Sequence, residues 1–142
     1  MLVWADGGWD FHRCLGFAAI YRDGTDPEPL VIPILDSNAS SLHCEYQALI
    51  MALCMTPNSG HVTIFMDSQT VVDQVHGNAT RTVLDLASYL GWVRKRLGSR
   101  SLIWIPRDEN RAHVSMSTVF SARESWGAYE MDALRKRKQK GV

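Results

Sequence analysis

Three acidic residues stand beside segments that the sequence predicts to be regular. Asp6 follows an apolar stretch that begins at Leu2, Asp67 follows one that ends at Met66, and Glu45 lies in the first turns of a predicted helix. Carboxylates that converge raise one another's pKa unless a cation neutralises them, so hard divalent ions are their natural partners. If the two strands are neighbours, these acids predict a Mg²⁺ or Mn²⁺ site, and two such ions can promote phosphodiester hydrolysis.

Each acid taken alone has a simpler explanation, because an Asp after a strand is more often a turn former or a helix cap. Ser68 follows Asp67, but no His–Asp partner pattern supports nucleophilic catalysis. The five tryptophans could stack on bases, yet a tryptophan on a strand or helix is more often part of the core. Residue spacing therefore leaves the function open.

The elements that must position these acids begin with an antiparallel meander. The predicted strands are Leu2–Ala5, Leu15–Tyr21 and Leu30–Leu35. Gly7 and Gly8 are expected to form a turn after the first strand, and Asp36–Asn38 is expected to close the third. Ser40 and Ser41 can cap the following helix.

The second half of the chain alternates strands with helices. The first helix should end at Pro57–Gly60, and Val62–Met66 predicts a fourth strand that leads into a helix carrying Val71, Val72 and Val75. The remaining predicted elements are a helix from near Thr80 or Thr82 to Leu97, a fifth strand over Leu102–Ile105, and a last helix opened by Asp108–Asn110. This order predicts an α/β fold in which helices pack on a mixed sheet.

Composition excludes several other classes of protein. With 142 residues, 46% of them hydrophobic and 21% charged, the chain should fold as one globular domain. No apolar run approaches the roughly 18 residues that span a bilayer, so no membrane partner and a cytoplasmic location are expected. Cys14, Cys44 and Cys54 form no C-x-x-C pair, which predicts buried free thiols rather than disulfides or a zinc site.

Charge gives only local support for nucleic-acid binding, because the formal net charge is zero. Two basic clusters stand out, and their members are Arg94, Lys95, Arg96 and Arg100, and in the tail Arg135, Lys136, Arg137, Lys138 and Lys140. Each cluster is either a solvated surface or a phosphate contact, and the sequence does not decide between these interpretations.

Four short motifs together resemble type 1 ribonuclease H. They are Ala5–Gly8 on the first strand, Cys44–Leu49 on the first helix, Phe65–Gln69 after the fourth strand, and Trp104–Asn110 at the last strand and its turn. Each motif is weak alone, but four of them in the family's order and spacing are specific. The resemblance covers nearly the whole chain, from Leu2 to about Ala122.

The resemblance implies an RNase H-like fold with a five-stranded mixed sheet of order 3-2-1-4-5. The first three strands would be antiparallel, and helices would flank the sheet. It also implies that Asp6, Glu45 and Asp67 bind two divalent cations and that the RNA strand of an RNA/DNA hybrid is cut to leave 5′-phosphate and 3′-hydroxyl ends. The catalytic domain would occupy residues 1–126, followed by a basic tail at 127–142.

The sequence departs from the family at the fourth acid, an Asp that begins the last helix four residues after the position of Asn110. Counting forward gives Val114, which cannot bind metal, whereas a turn shorter by one residue gives His113. The spacing of Ala112 and Met116 favours the shorter turn, because both side chains would then face inward. Imidazole ligates Mn²⁺ better than Mg²⁺. The predicted metal-binding and catalytic site is Asp6, Glu45, Asp67 and His113, with weakened metal binding.

Substrate contacts are implied by the same resemblance. The predicted substrate-binding residues are Gly7, Ser40, Ser41, Ser68, Gln69, Arg107 and Asn110. Hydrogen bonding to the DNA strand would be only partly retained, because Ser40-Ser41-Leu42 replaces the family's usual Thr-Asn-Asn run. Recognition of the hybrid would rest on 2′-hydroxyl contacts in the minor groove and on phosphate pairing.

The sequence therefore favours a monomeric ribonuclease H that uses Mg²⁺ or Mn²⁺, and it leaves two alternatives. One is an RNase H-like binding module that holds nucleic acid and cuts little or nothing, because the fourth Asp is missing. The other is a different nuclease of the same fold, such as a 3′–5′ exonuclease or a junction resolvase, since fold alone does not determine function.

Overall fold

One mixed sheet organises the chain, and the computed structural model describes residues 1–35, 39–78, 86–121 and 124. Its strands are β1 (Leu2–Asp10), β2 (Leu15–Arg22), β3 (Leu30–Ile34), β4 (Thr63–Met66) and β5 (Ser101–Trp104). They are hydrogen-bonded in the order β3-β2-β1-β4-β5. The first three strands are antiparallel, while β4 is parallel to β1 and β5 is parallel to β4. The predicted fold, strand order and strand directions are confirmed.

The described helices are α1 (Ser41–Cys54), α2 (Gln69–His76) and α3 (Ala87–Leu97), followed by a 3-10 turn at Arg107–Glu109 and helical residues 116–121. As predicted, Ser40 caps α1, and its hydroxyl accepts a hydrogen bond from the His43 backbone N–H at 3.2 Å. The helix ends at Cys54, before the predicted stop, because Pro57 disfavours helical geometry at Thr56. None of the helices in the described ranges has the length and apolar character needed to cross a bilayer.

Two cores form on opposite faces of the sheet because side chains alternate along a strand. On one face, α1, α2 and α3 pack against a cluster that includes Val3 and Ala5 of β1. On the other face, Trp4 packs in a second cluster with Ala112 and Val119. Asp6 lies two residues after Trp4, so alternation directs its side chain toward the face that the segment after β5 covers.

Several predicted local features are wrong. Strand β1 continues through Gly7 and Gly8 to Asp10, so these glycines form no turn and Asp6 lies within the strand. Neither glycine has a positive φ. Glycine is needed at position 7 because an added Cβ would stand 2.3 Å from the Cys44 carbonyl oxygen of α1. The strand and the helix therefore approach more closely than any side chain allows.

The last helix also differs from its prediction. Asp108–Asn110 opens no long helix, because only Arg107–Glu109 forms a 3-10 turn and Asn110 has extended backbone angles. Helical structure resumes at residues 116–121. The Asn110 side chain explains the interruption, since its Oδ1 accepts a hydrogen bond from the Ala112 backbone N–H at 3.0 Å.

The predicted burial of the cysteines is correct only for Cys44. Cys14 and Cys54 are exposed, and all three thiols are free as predicted. Cys14 lies in a turn with a positive φ of 48°, and Cys54 is the last residue of α1. Four predictions fall outside the described residues: the strand closure at Asp36–Asn38, the helix start near Thr80 or Thr82, the domain boundary at 126 and the basic tail at 127–142.

The close approach of β1 and α1 makes Gly7 a sensitive position. We expect Gly7→Ala to lower the free energy of unfolding by about 1–3 kcal/mol, because the new methyl group would meet helix backbone. Gly91→Ala is the matched control, since nothing lies within 4 Å of a Cβ added there and Ala favours a helix by about 1 kcal/mol. Urea unfolding of both variants checks the prediction, and equal effects of the two substitutions would contradict it.

Candidate active site

The parallel pairing of β1 and β4 brings two of the predicted acids together. Ala5 of β1 is opposite Met66 of β4, so Asp6 and Asp67, which follow them, occupy neighbouring positions. Asp6 is buried, with 7% of its surface exposed, and Asp67 is half-buried. Each strand contributes one carboxylate to the same edge of the sheet.

Glu45 joins this pair because α1 lies directly on β1. A Cβ placed on Gly7 would stand 2.5 Å from the Glu45 backbone nitrogen, and Gly7 is the next residue after Asp6. The charges of Asp6 and Asp67 both raise the pKa of Glu45. The three predicted metal-binding acids therefore lie within electrostatic reach of one another.

His113 is the fourth member of the cluster. Its Nδ1 lies 3.3 Å from Oδ2 of Asp6, and its side chain is 62% exposed. Val114 instead packs against the second core. His113 and Val114 were the two alternatives for the fourth position of the site. The structure places the imidazole of His113 at the acids and the side chain of Val114 against the second core.

Asn110 holds the turn that carries His113. Its Nδ2 donates a hydrogen bond to the Ala5 carbonyl at 3.0 Å, and its Oδ1 accepts from Ala112. The His113 backbone N–H donates to the Asn110 carbonyl at 3.3 Å. One buried amide therefore connects the residue before Asp6 to the turn that places the imidazole beside Asp6.

Burial is the main cause of the raised pKa values at this site. The pKa of Asp6 is raised to about 6, first by burial and then by the charge of Asp67, against the opposing effects of His113 and Arg107. The pKa of Glu45 is raised to about 7, mainly by burial and then by the charges of Asp67 and Asp6, against the opposing effects of the Ser68 hydroxyl and Arg107. The protein alone therefore stabilises the charged forms of these two carboxylates poorly.

The donor set fits a hard divalent cation. Oδ2 of Asp67 is buried and has no hydrogen-bond partner in the described part of the chain, and an orphaned carboxylate oxygen of this kind is an available ligand. Across residues 1–35, 39–78, 86–121 and 124, however, no three His, Cys, Asp or Glu side chains already stand in a ligand arrangement. Asp6, Glu45 and Asp67 are neighbours, and the repulsion between their carboxylates opposes a closer approach of these groups to one another.

The predicted substrate-binding residues divide into two groups. Those that are exposed are Ser40, Ser41, Gln69 and Arg107, although the Ser40 hydroxyl also caps α1. Those that are buried in internal contacts are Gly7, Ser68 and Asn110. Ser68 caps α2 by accepting a hydrogen bond from the Val71 backbone N–H at 3.3 Å, which gives its hydroxyl a structural role.

Trp104 is a site neighbour that sequence reasoning missed. It was expected in the core, but it ends the edge strand β5 and is 42% exposed. Its indole Nε1–H donates to the Asp67 backbone carbonyl at 3.1 Å. The position of Trp104 just before the Pro106–Asn110 turn was the available signal, because that strand end borders the acids.

A comparison with protein families places this geometry in a known group. Residues 5–117 match the family described as "Reverse transcriptase-like", a span that contains all four residues of the acidic site. The chain belongs to this RNase H-like family. In sequence, the chain matches none of the curated proteins with which it was compared.

Solved RNase H-like structures share the fold. The chain is similar to the N-terminal RNase H domain of rv2228c from Mycobacterium tuberculosis, solved as a fusion with maltose-binding protein. The TM-score is 0.65 and the identity 21%, over 87% of this chain and 96% of that chain. It is also similar to LC11-RNase H1, isolated from compost by a metagenomic approach, with a TM-score of 0.61 and 23% identity over 78% and 88% of the two chains.

A third RNase H-like structure contains nucleic acid. LC11-RNase H1 in complex with an RNA/DNA hybrid matches with a TM-score of 0.58 and 19% identity, over 77% of this chain and 87% of that chain. At this level of identity the likeness establishes the fold. It leaves chemistry to be argued from the site.

The raised pKa of Asp6 predicts how stability depends on pH in the absence of divalent ions. An acid whose folded pKa lies above its ordinary value stabilises the fold while it is protonated, and this contribution is lost as pH rises from about 4 to about 6. The free energy of unfolding of the parent, relative to Asp6→Asn, should fall by roughly 1–3 kcal/mol over this range in EDTA. Mn²⁺ added at neutral pH should restore part of this lost free energy of unfolding.

Urea unfolding followed by tryptophan fluorescence, in EDTA and in Mn²⁺, provides the measurement. Because Asn at position 6 does not titrate, the variant removes the titration of Asp6 together with its effect on the pKa of Glu45. Parallel pH curves for the two proteins, or equal stabilisation of both by Mn²⁺, would contradict the assignment.

We expect the side-chain amide of Asn110 to contribute strongly to the stability of the fold, because it bonds two backbone groups. Asn110→Ala removes the bonds to Ala5 and Ala112 and leaves two buried backbone groups without partners, so we expect a loss of about 2–4 kcal/mol in stability. Exposed Asp108, one turn earlier, is the control, and Asp108→Ala should change stability by less than about 0.5 kcal/mol. Chemical denaturation distinguishes the two results.

Proposed function

We propose that this chain hydrolyses the RNA strand of RNA/DNA hybrids with divalent cations held by Asp6, Glu45 and Asp67. The reaction would leave 5′-phosphate and 3′-hydroxyl ends. The observation that carries the proposal is the group of one buried and two half-buried acids that includes Oδ2 of Asp67, a buried atom with no hydrogen-bond partner among the described residues. Burial raises the pKa of both Asp6 and Glu45, and bound cations would stabilise the charged carboxylates.

The chain's own residues have separate tasks in this scheme. Asp6, Glu45 and Asp67 provide the oxygen ligands, and bound divalent ions supply water activation and stabilisation of the leaving oxygen. His113 holds the Asp6 carboxylate, with Nδ1 at 3.3 Å from Oδ2, and its side chain is 62% exposed. An imidazole is a common proton donor or acceptor in hydrolysis, so His113 can take this role beside Asp6.

Substrate would approach over the exposed residues at the same edge of the sheet. Arg107 is exposed and its charge acts on both Asp6 and Glu45, so its guanidinium is available for a phosphate. Ser40, Ser41 and Gln69 lie at the N-terminal ends of α1 and α2, where hydroxyl, amide and backbone N–H groups can contact a phosphodiester strand. The hybrid-bound relative supports the choice of substrate class.

Cleavage of an end-labelled RNA/DNA hybrid in EDTA, Mg²⁺ and Mn²⁺ tests the proposal. The parent should produce internal cuts only with a divalent ion, and Asp67→Asn should lose roughly 100-fold or more of this activity. Single-stranded RNA, duplex DNA and a four-way junction serve as competing substrates. Absence of hybrid cleavage above the Asp67→Asn background in both metals would overturn the proposed reaction.

Substitutions at position 113 test the role of the imidazole. His113→Ala should lower cleavage by about 10- to 100-fold, the range found for groups that orient metal ligands. His113→Asp should raise the rate in Mg²⁺ relative to that in Mn²⁺, because a carboxylate suits Mg²⁺ better than an imidazole does. An unchanged His113→Ala variant would remove His113 from the mechanism.

A binding module is the second candidate, and the observation that favours it is that an exposed imidazole, that of His113, lies beside Asp6 where the family usually has a carboxylate. Without a fourth carboxylate the site holds cations less tightly. In this case the chain would bind hybrid with an affinity that does not depend on Asp67 and would release no product in either metal.

A further inference from the structure

The C-terminal ends of α1 and α3 meet at one buried arginine. Arg100 is 9% exposed, and its guanidinium donates to the carbonyl of Leu53 in the last turn of α1, to that of Thr56 just after α1, and to those of Arg96 and Leu97 at the end of α3. Its Nε–H donates to the Thr56 hydroxyl at 3.0 Å. Each helix end carries roughly half a negative charge, so two ends balance the charge of Arg100.

A pocket of about 270 Å³ lies beside Arg100. It contains more positively charged side chains than the two helix ends can neutralise. Lys95, Arg96 and Arg100 line it together with Asn58 and Trp92. No acidic residue is among its lining residues in the described chain. Because the helix ends already neutralise Arg100, the charges of Lys95 and Arg96 are the excess.

Within the part of the chain that the structure describes, Arg96 is held in place without a carboxylate partner. Its guanidinium carbon lies 5.0 Å from the centre of the Trp92 ring. Arg13 makes a comparable contact with Phe120 at 5.2 Å but also forms an ion pair with Asp10 at 3.3 Å. No ion pair within the described ranges involves Lys95 or Arg96.

The pocket is at the opposite end of the sheet from the acidic site. Arg100 immediately precedes β5, whereas Asp67 immediately follows its parallel neighbour β4. Glu45 lies in the first turns of α1 and Cys54 ends that helix, which separates them by about 14 Å along the helix axis. A ligand in this pocket therefore does not occupy the site of the acids.

We propose that the pocket formed by Asn58, Trp92, Lys95, Arg96 and Arg100 binds a phosphate group. A guanidinium fork and an ammonium group with no carboxylate nearby are the donors that recognise phosphate oxygens. Arg100 offsets the negative ends of the two helices through its own hydrogen bonds, so Lys95 and Arg96 supply the positive potential. The phosphate belongs either to free inorganic phosphate or to a nucleic-acid strand that extends beyond the acidic site, and the second source rests on the proposed function.

Titration of the full chain with inorganic phosphate tests the shared chemistry directly. The readouts are the NMR signal of the Arg96 Nε–H group, followed in the parent and in Arg13→Gln, and the signal of the Trp92 indole N–H group, followed in the parent, Arg13→Gln and Arg96→Gln. We expect a saturable shift in the parent and in Arg13→Gln. Binding should be weakened roughly fivefold or more in Arg96→Gln, monitored through the Trp92 indole N–H signal.

Binding of an RNA/DNA hybrid in EDTA distinguishes the source of the phosphate. If a strand phosphate occupies the pocket, Arg96→Gln should reduce the slope of log affinity against log salt by about 0.9, while Arg13→Gln leaves it unchanged. If the pocket takes only free phosphate, the slope stays constant while the phosphate titration still depends on Arg96. Either result supports a phosphate pocket.

The proposal is overturned if phosphate produces no saturable shift and the parent and Arg96→Gln bind hybrid with the same salt slope. Neither arm measures cleavage, so a chain that binds phosphate here and cuts nothing would uphold the pocket and refute the proposed nuclease. Folding of each variant is checked by the full set of tryptophan indole signals.

Discussion

The structure depends on an electrostatic conflict at the junction of β1 and β4. Their parallel pairing sets Asp6 beside Asp67, and the close contact of Gly7 with α1 adds Glu45. Burial then raises the pKa of Asp6 and Glu45, because negative charge loses hydration there. The fold therefore keeps acids together at a cost in stability, which is understandable if cations offset that cost when the site is used.

The second face of the sheet completes the site through packing. Ala112 and Val119 belong to the core that contains Trp4. The Asn110 side chain donates a hydrogen bond to the Ala5 carbonyl and so holds the turn that carries His113 against β1. His113 therefore reaches Asp6 because its neighbours are buried. A stable core and a short polar connection together determine which residue meets the acid, and the same connection ties the stability of the turn to the geometry of the site.

The sequence was sufficient for the strand order and for the neighbourhood of Asp6, Glu45 and Asp67, because family motifs and apolar patterns extend over most of the chain. It was insufficient where a tertiary contact decided the conformation. Gly7 suggested a turn, but its absent side chain makes room for α1. Trp104 was expected in the core, but β5 is an edge strand and leaves the indole exposed. The spacing of Ala112 and Met116 favoured His113, but the hydrogen bond from the Asn110 amide to Ala5 that holds this turn is a tertiary contact, which local spacing does not reveal.

The central claim is that Asp6, Glu45 and Asp67 share bound divalent cations. Anomalous X-ray diffraction from crystals of this chain soaked in Mn²⁺ measures it most directly, since manganese is located independently of any activity. We predict an anomalous peak within bonding distance of carboxylate oxygens from all three residues. Manganese bound only elsewhere on the protein, at a concentration that saturates the crystal, would contradict the claim.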